Sequence, residues 1–154
     1  MRIRLVLAAL MVSSPAFSQS VDIKIIKMEP DTMLFGEKKE GCKIGFSITN
    51  NSWGTIYRIS VPLDATDDRG QGVDELLAAS ADNSKLFAWI PIAKGQTIVS
   101  EGSATFKESC KYISKITLSE PVEDYNCTIR MMPEEAHCSD VVTLSSGIDR
   151  LTTK

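Results

Sequence analysis

Apolar and polar residues alternate with a period of two over most of this chain, and the clearest stretch is Gly41 to Asp68. On its first arm Cys42, Ile44, Phe46 and Ile48 alternate with Lys43, Gly45, Ser47 and Thr49. On its second arm Tyr57, Ile59, Val61, Leu63 and Ala65 alternate with Arg58, Ser60, Pro62 and Asp64. Successive side chains of a strand point to opposite faces, so this pattern predicts two half-buried β-strands. Asn50-Asn51-Ser52-Trp53-Gly54 between them has turn chemistry, and the whole reads as a β-hairpin with one covered face.

The same pattern predicts further strands over Val21–Ile25, ended by Glu29-Pro30-Asp31, and over Leu86–Ile92, which Pro91 marks as an edge strand or strand end. Others lie over Thr97–Phe106, Lys111–Leu118, Asn126–Met132 and Val141–Ser145. Asp67 to Gly72 is a turn-rich break, and Asp74 to Ser80 carries enough helix formers for one short helix with Asp74 as its N-cap. Many short strands and one brief helix predict an all-β fold of two packed antiparallel sheets. A small barrel is the rival, because alternation does not separate a closed sheet from two open ones. The polar stretch 146–154 is expected to fray.

The start of the chain changes the picture. Arg2 and Arg4 precede an apolar run, Leu5 to Val12, too short to span a bilayer, and Ala16-Phe17-Ser18 offers small residues where a signal peptidase cuts. Residues 1–18 are therefore expected to be a signal peptide and 19–154 a single domain, periplasmic or secreted, in a bacterial cell. Losing two of the 17 basic side chains leaves 15 against 20 acidic ones, a formal charge of −5. That balance lacks the basic footprint of a nucleic-acid binder or an anionic-membrane binder, and no membrane insertion is expected after cleavage.

In an oxidising compartment the four cysteines, Cys42, Cys110, Cys127 and Cys138, point to disulfides, with three connectivities open. Strand parity puts Cys42 and Cys110 on inward faces, and Cys127 and Cys138 flank a short loop. The favoured pairing is Cys42–Cys110 with Cys127–Cys138.

Taken along the chain, the order of apolar strand, Asn-rich turn, apolar strand, Asp-x-x-Gly break and Lys-Gly turn resembles bacterial secreted immunoglobulin-like domains of the FxLYD type. The stretches that carry the resemblance are Phe46–Asn51, Ile59–Asp64, Asp67–Gly70 and Ala93–Gly95. It implies an immunoglobulin-like sandwich and a small extracytoplasmic module with a binding role. The segment after Cys110 has no counterpart in that pattern.

Candidate chemistry is sparse. The lone histidine, His137, adjoins Cys138, but a Cys–His nucleophile needs a free thiolate, which two disulfides would consume. Met131, Met132, His137 and Cys138 are ligand types that suit copper, so a metal-handling protein using the Met131–Cys138 loop is the alternative function. Asp64, Asp67, Asp68, Asp74 and Glu75 gather hard oxygen ligands around a turn, at a spacing that departs from the Ca²⁺-loop pattern. Asn50-Asn51-Ser52 and Asn126-Cys127-Thr128 match the glycosylation acceptor pattern. No redox or nucleotide motif is present, and neither an enzyme nor a cofactor is expected. Trp53, in the turn, and Trp89 beside Phe87 are the candidate partner surface, because aromatic side chains on an exported domain suit a protein interface. The reading is a non-enzymatic binding module that meets another envelope protein.

Overall fold

A computed structural model of the chain describes residues 19–31, 41–73, 85–88, 91–119, 126–131, 134–137 and 141–153. Among them nine strands form: β1 (Val21–Asp31), β2 (Gly41–Asn50), β3 (Thr55–Asp67), β4 (Lys85–Ala88), β5 (Thr97–Phe106), β6 (Ile113–Leu118), β7 (Asn126–Met131), β8 (Glu134–His137) and β9 (Val142–Ser146). One sheet has the order β5-β2-β1-β9; the other runs β4-β3-β7-β8, with β6 also on β3. All pairings are antiparallel except β1 with β9. The all-β, two-sheet expectation therefore holds. The expected helix, Asp74 to Ser80, lies outside the described residues, and no α-helix occurs among those described.

The two arms of the expected hairpin do not pair with each other. β2 lies between β1 and β5, whereas β3 pairs with β4, β6 and β7 in the other sheet. Alternation fixes which face of a strand is buried but not which strand lies beside it. The Asn50–Gly54 turn therefore crosses from one sheet to the other. Cys42, Ile44, Phe46 and Ile48 of β2 share a single buried cluster with Ile56, Ile59, Val61 and Leu63 of β3 and with Val21, Ile23 and Ile25 of β1. Each such side chain contributes about 1.5–3 kcal/mol when fully buried.

Parity fails at Tyr57 of β3 and again at Tyr112, which the alternation over Lys111–Leu118 puts inward and which is 44% exposed. The β3–β7 register slips between Ile56 and Arg58, so Ile56 is buried and Tyr57 is 46% exposed. A bulge adds one residue to a strand and re-aims the side chains beyond it, a shift that strict alternation does not anticipate. β1 likewise runs past its expected stop, with Pro30 opposite Cys42. A proline is tolerated near a strand end, where few ladder bonds depend on its missing N–H.

Two chain segments stitch the sheets together. On one side, Ile92 exchanges backbone hydrogen bonds with Ile56 of β3, and three residues later Gly95 donates to Asn50 O of β2 at 2.7 Å. On the other, Gly147 donates to Ile25 O of β1, and Thr152 then bridges to β6. The stretch expected to fray is thus docked: Leu151 is 5% exposed, Thr152 donates to Ser114 O, and Ile116 donates to Thr152 O. Its apolar positions, Ile148 and Leu151, are three apart, a spacing that neither strand alternation nor overall polarity flags.

Candidate functional site

The corner where β2 passes into β3 carries the described part of the candidate surface, and Asn50 builds it. Asn50 ends β2 on the inward parity and is fully buried. Its Nδ2 donates to Gly54 O and to Ile92 O, both at 2.8 Å, while its Oδ1 accepts from the Ser52 amide at 3.0 Å and the Ser52 hydroxyl at 2.5 Å. Its backbone amide donates to Gln96 O at 3.0 Å. One side chain therefore closes its own turn and ties it to the segment beyond β4. A residue this enclosed does not serve as a glycosylation acceptor. Next to it, Asn51 donates to Asp22 Oδ2 at 2.7 Å and Thr143 donates to Asp22 Oδ1 at 2.8 Å, which fastens the same turn to β1 and β9.

Trp53 emerges from this turn and is half-buried, packed against the core. Four residues on, the bulge presents Tyr57 and Arg58 to solvent. The β3–β4 ladder places Phe87 opposite Ser60, and Trp89 lies outside the described residues. The structure thus sets Trp53 and Phe87 along the first half of β3 and adds Tyr57. Strict alternation puts Tyr57 in the core, in phase with Ile59 and Val61, and so hides it as a surface residue. The available signal was Ile56, an apolar residue out of phase with the strand after it.

The other candidates are distributed elsewhere. The β7–β8 hairpin pairs Met131 with Glu134 and Thr128 with His137, whereas Met132 and Cys138 lie outside the described residues. Because Thr128 and His137 adjoin Cys127 and Cys138 in the sequence, a Cys127–Cys138 disulfide needs only a short reach. A non-reduced digest is expected to yield Cys42–Cys110 and Cys127–Cys138 peptides; a Cys42–Cys127 peptide would exclude this pairing. The Cys42–Cys110 bond itself is present, joining residues 68 apart.

Two acids of the group around Gly70, Asp64 and Asp67, are committed to the fold. Asp67 Oδ1 accepts from the amides of Arg69 at 2.9 Å and Gln71 at 2.8 Å, and Asp64 Oδ1 accepts from Ser119 Oγ at 2.7 Å. Gly70, at φ 77°, completes a three-residue hairpin loop in which Asp67 N donates to Gln71 O. Asp74 and Glu75 lie outside the described residues. Among those described, no group of His, Cys, Asp and Glu is arranged to hold a metal. Asp67→Ala is expected to cost about 1 kcal/mol by urea denaturation, since it removes the one side-chain oxygen that accepts from two amides of an exposed turn; an unchanged midpoint would contradict that role. No family model, curated protein or solved structure matches this chain.

Proposed function

We propose that this chain is an exported immunoglobulin-like sandwich that acts as a non-enzymatic binding module, meeting another protein of the bacterial cell envelope at the Trp53–Tyr57 corner. The observation that carries the reading is the β3 bulge, which turns Tyr57 outward at 46% exposure beside Arg58, on the strand that Trp53 leads into. Tyr, Trp and Arg are the residue types that dominate the binding energy of protein interfaces. The supporting scaffold is rigid: the corner hangs on a fully buried, fully hydrogen-bonded Asn50, which suits a surface held in place before its partner arrives. The resemblance to FxLYD-type domains and the leader-like residues 1–18 point to the same compartment and role.

The test is site-specific photo-crosslinking in intact cells. A photo-reactive side chain at Tyr57 is expected to capture a defined envelope protein, and Phe87→Ala is expected to weaken that capture. The same reporter at Ser145, on the exposed face of β9 in the other sheet, is expected to capture nothing defined. Equal labelling from both positions, or none from Tyr57, would remove the proposal.

A further inference from the structure

The Cys42 end of β2 is fastened in a way that reaches the far end of the chain. Cys42 is bonded to Cys110 in the turn between β5 and β6, with a Cα–Cα separation of 4.7 Å. That turn and the first residue of β6 also supply three backbone acceptors to Arg150. Its Nη2 donates to Cys110 O at 2.7 Å, and its Nη1 to Lys111 O at 3.2 Å and Ile113 O at 3.3 Å. Arg150 belongs to segment 147–153, which bridges the two sheets. Beyond Arg150, that segment rests on the buried Leu151 and on hydrogen bonds between Thr152 and the backbone of Ser114 and Ile116.

We propose that the Cys42–Cys110 disulfide is a redox-sensitive latch on the 147–153 segment. The bond pins the 107–112 turn to β2 and so holds the carbonyls of residues 110, 111 and 113 in the fan that a planar guanidinium grips. A dithiol reductant opens it: the reductant's two thiols give up two electrons and two protons and join as a disulfide, while the Cys42–Cys110 bond breaks into two thiols. The turn then recovers backbone freedom, the three acceptors no longer converge, and the segment's hold on β6 weakens. Coupling of this kind is reciprocal, so loosening the segment must ease reduction of the bond by the same factor that reduction loosens the segment.

Reciprocity supplies the test. In oxidised protein, Arg150→Met is expected to speed amide exchange at Ile116 and Thr152. It is also expected to raise the ratio of reduced to oxidised Cys42–Cys110 in dithiothreitol redox buffers, monitored by peptide mapping. Gly95→Ala is the control: Gly95 has φ 78° in the turn bonded to Asn50, at the opposite end of β2, so it lowers stability without touching the segment. A rise in both readouts about fivefold or more above the control supports the latch. A rise no larger than the control's, or faster exchange with an unmoved redox ratio, overturns it.

Discussion

Replacing Cys42 and Cys110 together by alanine is expected to lower stability by about 4 kcal/mol. The bond closes a loop of 68 residues, and in the chain-entropy model that length alone, by constraining the unfolded chain, sets the figure. β3, β4 and β5 all lie inside the loop, so cutting it frees the unfolded chain across both sheets. Cys42 is fully buried beside Ile44 and Phe46 in the common core, and alanine avoids adding a buried hydroxyl there. Urea unfolding of the double variant against oxidised wild type is the measurement. A loss under about 1 kcal/mol would mean that the unfolded chain is already compact across this loop.

How far the sequence discloses this molecule depends on the kind of information each residue carries. Cys42, Ile44, Phe46 and Ile48 alternate without a break, and each of them is buried as the period requires. The pairing of Cys42 with Cys110 agrees with the sequence reading, but parity explains only the Cys42 half, since Cys110 lies in the turn before β6 and its parity neighbour Tyr112 is 44% exposed. Strand partnership was not legible. Nothing in Gly41–Asp67 states that β2 pairs with β1 and β5 rather than with β3, because apolar faces are interchangeable until a turn is fixed in space. The Asn-Asn-Ser turn looked like a hairpin connection, yet Asn50 spends its side chain on Gly54 and Ile92 and sends the chain across the core. The docked segment at 147–153 was hidden differently. Its hold comes from Arg150 on three carbonyls and from Thr152 on a backbone, contacts that leave no periodic trace. The candidate surface was half legible: Trp53 and Phe87 were singled out on residue type, whereas Tyr57 was consigned to the core by a bulge that alternation does not register.

Asn50→Asp is expected to cost about 3–5 kcal/mol at neutral pH, more than Asn50→Ala, although aspartate is nearly the same shape. The amide nitrogen faces two backbone carbonyls at 2.8 Å, and a carboxylate has no donor to offer either of them. Alanine leaves those carbonyls, the Ser52 amide and the Ser52 hydroxyl without the side chain that now satisfies them, a loss of about 2–3 kcal/mol. Aspartate keeps the acceptor for Ser52 but adds a buried charge against two oxygens. Burial and those oxygens raise the introduced acid's pKa in the folded state above its unfolded value. The folded state then holds its proton while the unfolded state releases it, so the variant loses stability relative to wild type as pH rises through the unfolded pKa of about 4, until the folded pKa is passed. Below about pH 4 both states are protonated, the acid donates one hydrogen bond to a carbonyl, and the deficit shrinks toward that of alanine or less. The alanine deficit carries no such dependence. Urea midpoints of the two variants and wild type, taken from about pH 3.5 to 7.5, bracket this window on both sides. Parallel curves for aspartate and alanine would mean that the Asn50 amide is not the group that holds β2, β3 and the Ile92 segment at one corner.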